Sequence, residues 1–208
     1  LKDDSVRAQE RLRIAKNFDL KNFNEQKLVE FNIWKGYYEA ILEYSDGFEL
    51  RLPDKIVKKS ETISGKTRSV RLIAMGKGHS EGDLIMLLPK QKIAFLGDLL
   101  SVNYHPWMDD GDTEKWKSAL NKIAAMHIKT LVPGHGPTGT KEDIKKLKKY
   151  FDYLIKMARI CENGSDYLSD DKFLPIPPEY KNWLLPSLFN ENFKNECGKI
   201  YRKHFHIN

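Results

Sequence analysis

The chain contains little cysteine and no long apolar run. Only Cys161 and Cys197 occur among its 208 residues, far apart in the sequence. Two cysteines at this spacing do not support a disulfide framework or a zinc site made of thiolates, so each is predicted to be a buried or free thiol. No run approaches the roughly 20 apolar residues of a membrane-spanning helix. With 40% hydrophobic residues, the sequence predicts one globular domain with a packed core.

A phosphate-binding loop is also absent from the sequence. One Gly-x-Gly-x-x-Gly string occurs, from Gly134 to Gly139, but a lone string of this kind is a weak signal, and the predicted antiparallel hairpins argue against a doubly wound dinucleotide fold. The net charge of +6 and the pI of about 9.1 leave nucleic acid or an acidic membrane surface open as a partner. The excess of positive charge comes mostly from scattered lysines, and the lysine-rich stretch at 141–149 is typical of a solvated helix face. Nucleic acid is therefore not favoured.

Three glycine-containing phrases each follow a short apolar run. They are Gly78-His79-Ser80-Glu81-Gly82-Asp83, Phe95-Leu96-Gly97-Asp98 and Val132-Pro133-Gly134-His135-Gly136-Pro137. The preceding runs predict buried strands, and a ligand at a strand end is held on a rigid element. Two imidazoles and a carboxylate are a common ligand set for zinc and similar metals. A single His or Asp is more often structural, but the context repeated three times favours a metal site at His79, Asp98 and His135.

The rest of the chain predicts helices around a group of short strands. Strands are predicted at 60–63, 68–75, 84–88, 92–96 and 128–132, and the first four form two hairpins. Helices are predicted from Ser5 to Lys16, over 34–44, from Asp112 or Thr113, from Thr140 to about 163–164, and over 184–201. Residues 17–32 are polar and Asn-rich without clear period, which predicts a loop with at most a single helical turn.

Other side chains are candidates for supporting roles near the predicted site. Asp83 is expected to orient His79 or its loop, and Ser80 is expected to be a structural hydroxyl and not a nucleophile. The irregular segment 99–110 holds His105 and Trp107, which are candidates for a substrate pocket. For His105, hydrogen bonding that fixes the loop is the competing interpretation.

The order of the three glycine-containing segments and the residues within them resemble the metallo-β-lactamase-fold hydrolases over residues 53–140. In that family Gly-His-Thr-x-Gly-Asp is followed by Gly-Asp and then by Pro-Gly-His-Gly, and Ser80 stands here in place of the threonine. The resemblance implies an α/β fold of the four-layer αββα type. It also implies two Zn²⁺ ions, or other divalent metals, with His79 on the first ion, His135 on the second and a bridging, catalytic Asp98. A metal-bound hydroxide would then attack a small-molecule ester, thioester, lactone or lactam.

One family motif is missing from the sequence. The string His-x-His-x-Asp-His does not occur, and the chain opens at Leu1. This predicts a partial domain over 1–208 that lacks its N-terminal strands and the true N-terminus, with 165–208 as a C-terminal extension packed on it. Two alternatives stay open: a non-catalytic remnant with an incomplete metal site, and a phosphodiesterase acting on nucleic acid. The compartment, cytoplasmic or periplasmic, is also open, as are the substrate and the oligomeric state.

Overall fold

The chain divides into two compact units, Leu1–Ile56 and Val57–Asn208. The computed structural model describes residues 2–161 and 173–204. Within these residues, no helix is both long enough and apolar enough to cross a bilayer. The prediction that a single domain spans the whole chain stays a prediction.

The first unit contains a helical hairpin. Helix α1 spans Lys2–Lys16, a short 3₁₀ turn spans Leu20–Asn22, and α2 spans Glu25–Ser45 and packs against α1. Asn24 begins α2, because its side chain accepts a hydrogen bond from the Lys27 N–H at 2.9 Å. The predicted loop over 17–32 is therefore wrong from residue 25 onward.

The second unit contains one mixed sheet among its described residues. Its strands are β1 (Ser60–Ser64), β2 (Ser69–Gly76), β3 (Asp83–Leu88), β4 (Ile93–Ser101) and β5 (Thr130–His135), in spatial order β1-β2-β3-β4-β5. Neighbours are antiparallel except β4 and β5, which run parallel. Both predicted hairpins are confirmed, and so is the predicted α/β class.

Three helices complete the second unit: α3 (Thr113–Ala125), α4 (Lys141–Cys161) and α5 (Ser187–His204). Asp112 caps α3 by accepting from the Lys115 N–H at 3.0 Å, as predicted. The predicted cap of α4 is also confirmed, because the Asp143 carboxylate accepts from the Thr140 N–H at 2.7 Å. The predicted end of this helix near 163–164 lies outside the described residues.

The sheet is apolar on both faces. One face of the sheet packs against α3 and α4 and forms a buried core with them. This core includes Ile85, Ala94 and Leu96 from the strands and Trp116, Leu120 and Phe151 from the helices. The strand register places Ile63, Leu84 and Phe95 on the opposite face, where they are 50%, 44% and 37% exposed. Strands that are apolar on both sides suit the predicted layered sandwich, of which the described strands form one sheet.

Residues 173–204 add to the same core. Helix α5 packs against α4, and its Phe189 and Phe193 are fully buried. Leu174 and Trp183, which precede α5, are buried as well. The sequence predicted that the segment 165–208 packs on the domain. The contacts above bear on residues 173–204 of this segment, while 165–172 and 205–208 lie outside the described part of the chain.

Candidate metal centre

The fold brings His79, Asp98 and His135 together, although they are far apart in sequence. The His135 Nε2 atom lies 3.3 Å from Asp98 Oδ1, and the His79 Nε2 atom lies 4.0 Å from Asp98 Oδ2. Each carboxylate oxygen of Asp98 therefore faces a different imidazole. The side chains of Asp98 and His135 are 41% and 58% exposed, so this point is open to solvent and solutes.

The backbone around Asp98 is shaped by two glycines. Gly97 has φ +52°, a left-handed conformation that costs glycine little, and the β4–β5 register shifts at this residue. On β5, a Cβ added at Gly134 would collide with the Asp98 Oδ1 atom. The absence of a side chain at residue 134 thus creates the space that the Asp98 carboxylate occupies.

His135 is fixed by the end of β5. Its carbonyl oxygen accepts a hydrogen bond from the Val102 N–H at 2.9 Å. The next residue, Gly136, has φ +95°, and a Cβ added there would collide with the Val102 carbonyl oxygen. Only glycine satisfies both conditions, so the chain after His135 is held close to β4.

The loop that carries His79 is organised by Asp83. The Asp83 carboxylate accepts from the backbone N–H of His79 at 2.8 Å and from that of Ser80 at 3.0 Å. It also accepts from the Ser80 hydroxyl at 2.7 Å. Asp83 therefore fixes the loop backbone and not the His79 ring directly, and the Ser80 hydroxyl is engaged in the same network. The contribution of both residues to metal binding stays a prediction.

The side chains of the three residues are not arranged as a closed binding site around a single metal ion. Among residues 2–161 and 173–204, no group of three His, Cys, Asp or Glu side chains is arranged to hold one metal ion. The two imidazoles instead lie on opposite oxygens of one carboxylate.

Comparison with known proteins identifies the family. The profile of the Metallo-beta-lactamase superfamily matches residues 7–135, which is more than half of the chain. The chain belongs to this superfamily. The α/β fold with a mixed sheet and covering helices is of the metallo-beta-lactamase type, as the sequence predicted.

Individual relatives within the superfamily are distant. The chain is 28% identical over 112 residues to the "Metallo-beta-lactamase type 2" of Bacteroides fragilis, covering 51% of this chain and 45% of the relative. A solved metallo-beta-lactamase from Pontibacter korlensis is 24% identical, with a TM-score of 0.45 and coverage of 55% of this chain and 54% of that one. The DIM-1 metallo-beta-lactamase structure is 21% identical, with a TM-score of 0.37 and coverage of 40% and 42%. The chain thus spans about half the length of these relatives.

Two aromatic residues near the candidate site were not singled out from the sequence. The Trp116 ring lies edge-on to the His79 ring at 5.2 Å between centroids, and its Nε1–H donates to the Leu99 carbonyl at 2.9 Å. The Tyr104 ring lies 5.9 Å from the His135 ring. Trp116 carried only the helical-periodicity signal of a core residue, whereas Tyr104 lies in the segment already assigned to the pocket region.

The two predicted pocket residues have different environments. His105 is 1% exposed, and its ring is surrounded by Tyr150, Trp183 and Phe189. Its Nδ1 atom lies 3.2 Å from the Tyr150 hydroxyl oxygen, and burial lowers the pKa of the imidazole to about 4. Trp107 is 45% exposed. His105 thus has the loop-fixing environment of the competing interpretation, and a role in a substrate pocket stays a prediction for both residues.

Proposed function

We propose that the chain supplies part of the active site of a metal-dependent hydrolase that binds two zinc ions. In this proposal His79 would hold one ion, His135 would hold the other, and Asp98 would be a ligand shared by both. The observation that carries it is the placement of the two Asp98 oxygens, one toward each imidazole nitrogen. With one imidazole beside each oxygen, an ion on either side of the carboxylate would have both a nitrogen and an oxygen ligand.

The residues present fit zinc by donor type and by access. Imidazole nitrogens and carboxylate oxygens are its usual protein ligands beside thiolate. The exposure of Asp98 and His135 allows a metal ion and a small-molecule substrate to approach. The missing side chain at Gly134 gives the carboxylate room without competition from β5. Nothing in this donor set excludes other divalent metals.

Each residue then has a defined task. Bound divalent ions supply Lewis acidity, which activates water and polarises the carbonyl of an ester, thioester, lactone or lactam. Asp83 keeps the His79 loop in one conformation through three hydrogen bonds, so the imidazole is presented without reorganisation. The edge contact with Trp116 restricts rotation of the His79 ring. These residues position ligands and do not take part in bond making.

A non-catalytic protein with an incomplete metal site is the second candidate. One observation favours it: the described residues offer three ligands, none grouped around one ion. A catalytic zinc normally has three protein ligands of its own. We accordingly expect the 208-residue chain by itself to bind zinc weakly and to hydrolyse nothing efficiently, with further ligands needed for full activity.

Equilibrium dialysis against zinc, with elemental analysis, tests the metal site in the 208-residue chain. Asp98→Ala and His135→Ala should each weaken zinc binding at least about tenfold, since each removes a ligand. Asp54→Ala is the matched control, because Asp54 is an exposed carboxylate near Arg51 and should leave zinc binding unchanged. Zinc binding as tight in Asp98→Ala and His135→Ala as in the wild type would refute the proposed site.

A substrate panel separates the two candidates. Lactam, thioester, lactone and phosphodiester substrates would be tested on the same variants. Turnover that is detectable in the wild type and lost with Asp98 supports the hydrolase. Because efficient hydrolysis is not expected of the 208-residue chain, the panel is run at high protein concentration, where even slow turnover is detectable. Zinc binding that depends on Asp98, with no detectable turnover of any substrate under these conditions, favours the non-catalytic candidate. Turnover of the phosphodiester alone would move the assignment to the phosphodiesterase alternative.

A further inference from the structure

Helix α5 of the second unit carries a polar stripe on a partly buried face. Asn192, Asn195 and Lys199 follow one another at intervals of three and four residues, so they lie on one side of the helix. Asn192 is 1% exposed, and the side chain of Lys199 is 25% exposed. Buried polar groups need hydrogen-bond partners, which apolar side chains at the same positions would not. The partners of this stripe therefore indicate what α5 does beyond packing.

The stripe bonds to the segment 102–112, which joins β4 to α3 and which we call the connecting segment. Each of its three side chains donates to a backbone carbonyl oxygen of that segment. These bonds run from Asn192 to Pro106 at 2.8 Å, from Asn195 to Met108 at 3.1 Å and from Lys199 to Gly111 at 2.9 Å. Because the acceptors are backbone atoms, the stripe fixes the path of the chain through the connecting segment.

The beginning of the connecting segment contacts the β5 side of the candidate metal centre. The Val102 N–H donates to the His135 carbonyl oxygen at 2.9 Å. Two residues further on, the Tyr104 ring lies 5.9 Å from the His135 ring. The position of His135 therefore depends on the path of this segment.

The end of the connecting segment supports the His79 loop in a similar way. The Asp112 N–H donates at 2.9 Å to the carbonyl oxygen of Gly78, which directly precedes His79. A Cβ added at Gly111 would lie 3.0 Å from the same oxygen, so the two backbones are in close contact. Lys199 holds the Gly111 carbonyl, one residue before the amide that bonds to Gly78. Two hydrogen bonds thus connect the Lys199 ammonium to the loop that presents His79.

We propose that the polar stripe of α5 positions the candidate metal centre, with Lys199 as the positioning residue for the His79 loop. This role rests on the proposed function, and it assigns part of the rigidity of that site to a helix that offers none of the three proposed ligands. Ligands that are already held in place bind a metal more tightly, because they lose less conformational freedom on binding. Removing the Lys199 ammonium should therefore loosen the His79 loop and weaken zinc binding.

Zinc affinity and amide hydrogen exchange in the 208-residue chain test this role. Lys199→Met removes the ammonium and keeps an unbranched side chain. It should raise the zinc dissociation constant at least about threefold. In the metal-free chain it should also speed exchange of the Asp112 N–H, measured by nuclear magnetic resonance, at least about tenfold. Lys199→Arg restores a cation with hydrogen-bond donors and should bind zinc more tightly than Lys199→Met does.

Lys117→Met is the matched control. The Lys117 side chain is 21% exposed, and its ammonium pairs with Asp152 of α4 at 2.6 Å. This variant also loses a partly buried ion pair, but it should change the zinc dissociation constant by less than about twofold. Urea denaturation reports how much stability each variant loses. Equal losses of zinc affinity in Lys117→Met and Lys199→Met would mean that Lys199 acts through general stability, which would overturn the proposal.

Asn195→Ala repeats the test and leaves the ion pair of Lys199 intact. Lys199→Met deprives the buried Glu196 carboxylate of its cation at 3.0 Å, which can itself cost stability. Asn195→Ala removes only the donor to Met108 and should raise the zinc dissociation constant at least about twofold. Circular dichroism should show equal helix content in all variants. Wild-type zinc affinity in Asn195→Ala and Lys199→Met would overturn the proposal.

The outcome is distinguishable from that of the proposed metal site itself. If Asp98→Ala weakens zinc binding while Lys199→Met does not, α5 has no positioning role and the metal site stands. Wild-type exchange of the Asp112 N–H in Lys199→Met has the same meaning and is measured without metal. If zinc binding is indifferent to Asp98→Ala, the proposed site is wrong, and the positioning role falls with it.

Discussion

Acidification should destabilise the second unit through His105. Burial among aromatic rings lowers the pKa of this imidazole from its ordinary 6.5 to about 4 in the folded chain. In the unfolded chain the imidazole is in water and titrates near its ordinary value. Between these two pKa values the unfolded state binds a proton that the folded state does not. The stability contributed by neutral His105 is therefore fully present above the unfolded pKa and is lost as the pH falls through this window.

The size of the effect follows from the gap between the two pKa values. A tenfold change in proton affinity corresponds to about 1.4 kcal/mol, so the full loss below pH 4 is ~3 kcal/mol. By pH 5 about 2 kcal/mol should already be lost relative to pH 7. This is a large fraction of the 5–15 kcal/mol typical of a folded domain.

Urea denaturation at several pH values between about 7 and 4.5 measures this loss. Acidic groups also titrate in this range, so the wild type is compared with His105→Gln, in which those groups are unchanged. Glutamine can still bond to the Tyr150 hydroxyl but does not titrate. The stability advantage of the wild type over the variant should shrink by about 2 kcal/mol between pH 7 and pH 5.

A second histidine provides the control for this comparison. His127 is exposed, so His127→Gln controls for the general effect of replacing an imidazole by an amide at the surface of the protein. If the wild type and His105→Gln lose stability in parallel, the imidazole accepts its proton in the folded state as readily as in the unfolded one. The argument from burial would then be refuted.

Two other predictions concern the candidate site and its surroundings. Asp98→Ala should lower zinc content more than Ser80→Ala, because the carboxylate faces both imidazoles while the hydroxyl only steadies a loop; equal losses measured by elemental analysis would require another mechanism. Gly136→Ala should lower the free energy of unfolding, measured by urea denaturation, by at least about 1–3 kcal/mol. The reason is that residue 136 has φ +95° and that the added Cβ would collide with the Val102 carbonyl oxygen. The control is Gly36→Ala, because Gly36 lies in α2 with open space around it; this variant should be neutral or stabilising by up to about 1 kcal/mol. Similar changes in stability for both variants would contradict the argument from the collision at residue 136.

The features predicted well from the sequence were local ones. The hairpins of β1–β2 and β3–β4 follow from short apolar runs that end at turn residues. The caps at Asp112 and Thr140 depend on side chains within three residues of the helix start. The meeting of His79, Asp98 and His135 was also predictable, because His79 follows β2, while Asp98 and His135 lie in the C-terminal parts of β4 and β5 of the same sheet.

Other features depend on contacts that no local pattern contains. The start of α2 was missed because 25–32 lacks a clear apolar period, and the single cap residue Asn24 was its main signal. The aromatic surroundings of His105 include Tyr150 and Phe189, which are distant in sequence, so the burial that shifts its pKa is a tertiary property. The edge contact between Trp116 and His79 has the same origin. Apolar periodicity identifies Trp116 as a core residue but not as a neighbour of a particular ring.

The glycines of the three phrases suggest a test of the site that leaves every proposed ligand in place. In Gly134→Ala the new Cβ would collide with Asp98 Oδ1 and would lie 2.8 Å from the Gly97 carbonyl carbon and 2.9 Å from the Asp98 nitrogen. Two of these three atoms are backbone, so β4 and β5 must separate or the Asp98 carboxylate must turn away from His135. If the position of the carboxylate between two imidazoles creates the metal site, this variant should lose zinc nearly as completely as Asp98→Ala. Near-normal helix content by circular dichroism would show that the fold persists. Wild-type zinc binding in Gly134→Ala would mean that the observed meeting of Asp98 and His135 is not what holds the metal.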